Sequence, residues 1–333
     1  MNRKLVSLLM IFVLVLAVAG CTPKQTPKEM LEEATMNSLE ITSAEQDMNM
    51  HFGVDLGENP DPMVEMFASM VKDVNVNFHA KSIIEDKPQI ALTGSAALSG
   101  MTYNVELYMN DSEIIMKIPM MEQYIVQEIE TESGESMTLT KEQSIEINKK
   151  FNDIMLAKIT DEELTLEENA TVSVNGEDVK VSNISLSFDD VRSKELVKDF
   201  ITTMLTDESL REIMITSQKN QLAMAGIEMT DEEIVAEIDT MSTEFEAAWT
   251  EAVSYFAVDR FDMTFSIDKD KQIVATAVGL DMTVTEPESA TEIKVTMDVE
   301  STSYNINAVT DLAIPEMTEE NSITAEELNS GMY

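Results

Sequence analysis

The chain has a single cysteine, Cys21, among 333 residues, so no disulfide framework stabilises it and packing must do so. It has no glycine- or serine-rich linker and no internal repeat between residues 29 and 318, which predicts one domain over that range. Beyond the N-terminal apolar stretch, no run approaches the ~18 apolar residues of a membrane-spanning helix. These absences exclude disulfide-rich scaffolds, repeat proteins and proteins with several membrane spans.

Basic residues are also scarce. The chain has 22 lysines and arginines against 63 aspartates and glutamates, a formal net charge of −41. Without Arg3 and Lys4, 20 basic residues oppose the same 63 acidic ones, and the charge is −43. Such a protein is repelled by nucleic acid and by anionic lipid headgroups, so no nucleic-acid partner is expected. Disorder is not predicted, because hydrophobic residues make up 44% of the chain and recur periodically.

Motifs that carry catalysis are missing. The sequence has no G-x-S-x-G, no H-E-x-x-H, no glycine-rich phosphate loop and no dinucleotide fingerprint. Carboxylates are too numerous for one pair to be singled out as an acid/base dyad. Asp268 and Asp270 do not begin an EF-hand loop, because the third acid, the glycine and the closing glutamate are absent. We therefore expect no enzyme, and neither a cofactor nor a metal.

The two histidines, His51 and His79, both fall on the polar sides of predicted strands. A metal site formed by them with nearby carboxylates is one interpretation. Two exposed strand histidines are the interpretation that we favour.

The first 21 residues have the composition of a secretory signal. Arg3 and Lys4 provide a basic start, and an apolar stretch runs from Leu5 to Ala19. That stretch is about 15 residues long, whereas a spanning helix needs ~20. Residues 1–20 are therefore predicted to be a signal peptide.

The residues before Cys21 resemble the lipobox of bacterial lipoproteins. Val18, Ala19 and Gly20 fill its three positions, although leucine is commoner where Val18 stands. The resemblance implies cleavage before Cys21 and a diacylglyceryl group on its thiol, and two acyl chains suffice for stable anchoring. The membrane is then a partner through Cys21, residues 21–28 are a flexible tether, and the protein works on the extracytoplasmic face of the bacterial cell membrane. The alternatives are an ordinary signal peptide and an N-terminal membrane helix with a free thiol.

Periodicity along the chain predicts the fold class. Strand-like alternation over residues 44–129 is followed by mostly helical patterns to residue 256, interrupted by a hairpin at Asn175-Gly176, and alternation returns over 258–310. Runs of strands and runs of helices predict an α+β domain, residues 29–318, in which helices cover one face of an antiparallel sheet. The helices at 27–39 and 230–256 are expected on the apolar face of that sheet. Residues 319–333 are assigned to an acidic C-terminal tail.

Methionine is abundant, with 26 residues against 11 phenylalanines. Many lie on the apolar sides of the predicted strands. Methionine is unbranched and adaptable, so these residues suit either an irregular core or the lining of a site for a flexible apolar ligand.

Several segments together resemble the LolA/LppX-type envelope lipoproteins, in particular uncharacterised Gram-positive-type members with that fold. They are the anchored N-terminus, the helix at 27–39, the run from Leu107 to Pro119, the hairpin from Val174 to Val181, and the end at Ile314-Pro315-Glu316. The resemblance implies a strongly curved antiparallel half-barrel closed by helices over an apolar cavity. In characterised relatives that cavity carries lipids or lipoprotein acyl chains. The enlarged helical block at 189–256 and the extreme charge depart from the family pattern.

Two functions follow from these observations. One is a tethered carrier or sensor that binds a lipid or another apolar small molecule. The other is a non-catalytic structural or interaction lipoprotein with a filled core and an acidic partner-binding surface. For the first, the segment Met63–Val71 is predicted to act as a lid, and the predicted cavity residues are Met48, Met50, Phe52, Met66, Phe67, Met70, Phe78, Leu92, Leu107, Met109 and Met116.

Overall fold

The computed structural model describes residues 25–57, 72–84, 88–110, 112–119, 121–128, 141–224, 229–285 and 291–330. Cys21, the signal peptide and most of the tether lie outside the described residues. So do Met66, Phe67, Met70 and the rest of the predicted lid.

One sheet of 12 strands organises the described chain, in the order β12-β6-β5-β4-β3-β2-β1-β11-β10-β9-β8-β7. Neighbouring strands are antiparallel except for β12 and β6, which are parallel. The strands are β1 Ser43–Asp55, β2 Asp73–Ile83, β3 Gln89–Leu98, β4 Met101–Met109, β5 Glu113–Lys117, β6 Tyr124–Glu128, β7 Leu164–Val174, β8 Glu177–Phe188, β9 Phe256–Asp268, β10 Ile273–Thr285, β11 Glu292–Tyr304 and β12 Ser322–Thr324.

The pairing of β1 with β11 joins the early strands to the late ones. Glu45 lies opposite Tyr304 and Asp55 opposite Lys294, so the register holds along 11 residues of each strand. The sheet is curved and does not close, with β7 and β12 as its edges. The predicted α+β class, an open antiparallel half-barrel with strands from both regions in one sheet, is confirmed.

Helices are α1 Pro27–Ser38, α2 Lys141–Lys158, α3 Asp190–Thr206, α4 Glu208–Met224, α5 Asp231–Ala252 and α6 Ala325–Ser330. Two of them begin with capping boxes. Thr26 Oγ1 accepts from the Glu29 amide and Thr230 Oγ1 from the Glu233 amide, while each glutamate accepts from the threonine amide in return. The predicted hairpin is also present, with Asn175 and Gly176 at φ of 49° and 78° between β7 and β8.

The first core lies between α1, α3 and the strands β7–β10. Leu31 and Ala34 of α1 and Leu196 of α3 are buried against Ile184 and Ile267 of the sheet. Helix α1 therefore packs on the apolar side of the sheet, as predicted. Helix α5 packs mainly on α3 and α4 instead of on the sheet, because α3 lies against β8 and β9 and takes that place.

A second core lies on the other side of the sheet, beneath residues 305–321, which we call the strap. The strap leaves β11 and crosses β1, where the Asn307 amide donates to the Ser43 carbonyl over 2.7 Å and the Val309 amide to Ser43 Oγ over 3.1 Å. It then buries Leu312 against β3–β5 and continues into β12. Residues 319–330, assigned from the sequence to a tail, thus include an edge strand and a short helix.

Candidate functional site

The predicted cavity residues that the structure describes share one face of the sheet. Met48 lies opposite Phe78, and Phe78 opposite Gly94. Because side chains alternate along each strand, this pairing determines which residues lie on the same side. We call that side the apolar face, and it carries Met48, Met50 and Phe52 of β1, Phe78 of β2, Leu92 of β3, Leu107 and Met109 of β4 and Met116 of β5.

No charged residue lies on the apolar face in the described parts of β1–β5, β10 and β11. The charged residues of these strands lie on the opposite side, which we call the polar face. They are Glu45, Asp47, His51, Asp55, Asp73, His79, Lys81, Glu106, Glu113, Lys117, Asp281, Glu292, Lys294, Asp298 and Glu300. The chain therefore keeps this face uncharged despite its large excess of acids.

The two faces differ in burial in a way that a single packed core does not predict. Tyr108 and Ile115 on the polar face are only 8% and 1% exposed, because the strap covers them. Their neighbours Leu107 and Met116 on the apolar face are only half-buried. Among the described helices, those that cover the apolar face lie over β7–β10. The part of the apolar face on β1–β5 is therefore the candidate ligand-binding surface.

A polar patch within this face, not predicted from the sequence, is formed by Gln46, Thr276, Ser301 and Ser303. Ser301 lies opposite both Thr276 and Met48, and Ser303 lies opposite Gln46. No side-chain hydrogen bond within the described chain involves any of these four residues. Their signal was visible in the sequence, because Gln46 is in phase with Met48 and Thr276 with Val278. We call these four residues the hydroxyl–amide patch.

The two histidines lie apart on the polar face, each beside its own acid. His79 Nδ1 is 2.9 Å from Asp47 Oδ1, and His51 Nδ1 is 3.4 Å from Asp73 Oδ1. No group of three or more metal-binding side chains occurs in the described parts of the chain. Burial, and then the charge of Asp47, raises the pKa of the nearby Tyr304 to about 12.

A pair of tyrosines lies beneath the strap. Tyr108 and Tyr124 both donate their hydroxyls to Glu106 Oε2, over 2.9 and 3.0 Å. Burial, and then the bond to Glu106, raises the pKa of Tyr108 to about 12 and raises that of Tyr124. The Lys117 ammonium lies 4.7 Å from the centre of the Tyr124 ring. These contacts hold the strap side of the sheet together.

A cleft of about 280 Å³ lies between α1 and α2, away from the predicted cavity. None of the predicted cavity residues lines it. Its walls are Glu32, Thr35, Met36, Asn152, Asp153, Leu156 and Ala157.

Comparisons with known proteins add little about activity. Residues 225–322 match a family described as "Family of unknown function (DUF6612)". No curated protein matches the chain. A similar solved structure is the beta-barrel-like protein of domain of unknown function DUF1849 from Brucella abortus, with 6% identity and a TM-score of 0.22, covering 79% of this chain and 99% of that one. Neither the matching family nor the solved structure is described as LolA- or LppX-like, and neither description names a ligand. The LolA/LppX resemblance therefore stays a prediction. None of the described helices is both long enough and apolar enough to span a membrane.

Proposed function

We propose that this protein is a membrane-anchored extracytoplasmic lipoprotein that binds a lipid or another apolar molecule on the apolar face of its half-barrel, as a carrier or sensor. One observation carries the proposal. Large apolar side chains on β1–β5 remain half-buried on an uncharged face, while Ala91, Tyr108 and Ile115 on the other side of β3–β5 are buried.

The composition of the face supports a flexible apolar ligand. Binding sites for small molecules are mostly apolar, with a few placed polar groups. Four of the half-buried side chains on the apolar face of β1, β4 and β5 are methionines, namely Met48, Met50, Met109 and Met116, and methionine side chains repack around guests of different shape at little cost. A surface that served only as a packed core would bury these side chains about as completely as the residues under the strap.

Binding is tested with the full chain carrying Cys21→Ser, so that no acyl anchor of its own competes for the face. N-phenyl-1-naphthylamine, an uncharged apolar dye, should bind saturably with a rise in fluorescence. Phe52→Trp and Met109→Trp enlarge side chains on the face and should weaken binding by about tenfold. Val191→Trp is the matched control, because Val191 is 64% exposed on α3, away from this face.

Urea midpoints of all variants establish that the weaker binding does not reflect unfolding. If the Cys21→Ser protein takes up no dye saturably, the carrier or sensor function is overturned. The interaction lipoprotein then remains as the interpretation.

The anchor is tested separately. Intact-mass analysis of the native protein should place the N-terminus at Cys21 with a diacylglyceryl group, and Cys21→Ser should leave the protein unanchored or unprocessed. A mature N-terminus at another residue would overturn the anchor without affecting ligand binding.

A further inference from the structure

The position of the hydroxyl–amide patch narrows the chemical class of the ligand. This step rests on the proposed function. The patch lies on β1, β10 and β11, at the border between the helix-covered strands β7–β10 and the half-buried apolar residues of β2–β5. A ligand on the open part of the face therefore contacts the hydroxyl and amide groups of the protein at one end. Along most of its length it contacts only apolar or small side chains.

The groups in the patch can both donate and accept hydrogen bonds but carry no charge. Directly opposite residues on one face of an antiparallel pair have Cβ atoms about 5 Å apart, so Thr276 and Ser301 lie within reach of the same polar group. Ser303 of β11, two residues beyond Ser301, and Gln46 of β1 form a second such pair. Two hydroxyls and an adjacent hydroxyl–amide pair fit a head with hydroxyl and ester groups.

An ionised head has no partner here. No lysine, arginine or histidine lies on the apolar face in the described strands β1–β5, β10 and β11. Burying a carboxylate or phosphate without a cation is costly, and the net charge of −41 adds long-range repulsion. A cationic head would likewise meet no carboxylate on this face.

The available length fits one acyl chain. From β11 to β5 the face crosses six strands, a distance of about 24 Å at the usual spacing. One leaflet of a bilayer core, and hence one extended tail, is about 15 Å deep. A tail that starts at the patch on β11 therefore ends near β3.

We propose that the ligand is an uncharged single-chain amphiphile of the monoacylglycerol type, with its hydroxyl and ester groups on the hydroxyl–amide patch and its chain across β1–β3. Monooleoylglycerol and oleate have the same tail and differ in the charge of the head. Both are measured, below their aggregation limits, by displacement of N-phenyl-1-naphthylamine from the Cys21→Ser protein.

Monooleoylglycerol should bind at least about tenfold more tightly than oleate, both at low salt and at 0.5 M salt. High salt screens long-range repulsion, so the preference that persists there reports the uncharged patch rather than the net charge. Thr276→Val should weaken the binding of monooleoylglycerol by about three- to tenfold. It should leave the binding of N-phenyl-1-naphthylamine, which lacks the glycerol ester, unchanged. Thr302→Val is the matched control, because Thr302 lies next to Ser301 on β11 but on the polar face.

The outcomes separate this proposal from the function on which it rests. If neither the dye nor either lipid binds, the carrier or sensor function fails. If the dye binds and oleate matches monooleoylglycerol at high salt, or Thr276→Val and Thr302→Val behave alike, the apolar site stands and the uncharged-head proposal is overturned.

Discussion

The ring of Phe78 lies directly on Gly94, its partner in the neighbouring strand of the apolar face. A Cβ atom placed on Gly94 would come within 2.3 Å of Phe78 Cδ1 and 2.4 Å of the Asn77 carbonyl oxygen. The absence of a side chain at Gly94 therefore lets the ring lie flat across β3, where a glycine in a strand otherwise only weakens the sheet.

Gly94→Ala should destabilise the protein by about 2 kcal/mol, because both the ring and the strand must shift. Phe78→Leu in the same chain should remove part of that cost by removing the ring. The coupling between the two changes is measured by urea unfolding in a double-mutant cycle, with about 1 kcal/mol expected for residues in contact. Strictly additive losses would contradict the contact.

The face of the sheet that carries these residues was predictable from period two alone. Met48, Met50 and Phe52 alternate with polar residues on β1, and Leu107 and Met109 do so on β4. Once the strands pair in chain order, alternation places them all on one side. The hairpin at Asn175-Gly176 was predictable for a similarly local reason, since that dipeptide adopts the positive φ values of a tight turn.

The strap was not predictable from periodicity. Val309, Leu312, Ile314 and Met317 follow neither a helical nor a strand period, and the strap turns at residues such as Asn307 and Ala313, which have positive φ. Its consequence is that Tyr108 and Ile115, on the polar side of their strands, are buried at 8% and 1% exposure. Long-range packing decided their burial, and no local pattern reports it.

Alkaline pH should destabilise the protein through Tyr108. Its folded-state pKa of about 12 exceeds the ordinary value of 10, so the unfolded chain loses this proton first as pH rises. The contribution of Tyr108 to the free energy of unfolding is fully present below pH 10 and is lost as pH rises through 12. Tyr304 has a raised pKa of about 12 as well and acts in the same direction.

Urea midpoints measured from pH 9 to pH 12 should therefore fall for the wild type. The urea midpoint of Tyr108→Phe should fall less steeply with pH. At pH 9 this variant should already have lost about 1 kcal/mol of unfolding free energy, because the hydrogen bond to Glu106 is gone. Tyr103→Phe is the control, because its hydroxyl lies on the apolar face and donates to the Met101 sulfur. Equal slopes for the wild type and Tyr108→Phe would count against the role of Tyr108.

Asp207 should stabilise the start of α4. Its carboxylate accepts from the Leu210 amide over 3.0 Å and lies 3.2 Å from Lys150 Nζ. The Leu210 amide first, then the Ser209 hydroxyl and Lys150, lower the pKa of Asp207 from 3.8 to about 2. The contribution is therefore present above pH 3.8 and is lost as pH falls through about 2.

Asp207→Ala should lower the free energy of unfolding by about 1 kcal/mol at neutral pH, the usual value for losing a helix cap. Near pH 2 the same substitution should lower it much less. Asp199→Ala is the matched control. It removes an ion pair to Lys158 in which both side chains are 45% exposed, and such pairs contribute little. A loss at Asp207 that does not depend on pH would contradict the charged cap.

Two leucines on opposite sides of the sheet separate stability from binding. Leu312 of the strap is 5% exposed and packs on Ala91, Tyr108 and Ile115. Leu107, next to Tyr108 on β4, is half-buried on the apolar face. The same substitution can therefore be made where the side chain is core and where the proposed function makes it a ligand contact.

Leu312→Ala should lower the free energy of unfolding by about 2–4 kcal/mol, as for other buried leucines, and leave dye binding unchanged while the protein is folded. Leu107→Ala should cost only roughly 1 kcal/mol of stability, because less apolar area leaves the interior. It should nevertheless weaken binding of N-phenyl-1-naphthylamine several-fold. Unfolding and dye titrations on the same samples give both quantities, and a Leu107→Ala protein that loses stability like Leu312→Ala while binding the dye normally would show that the apolar face is ordinary core.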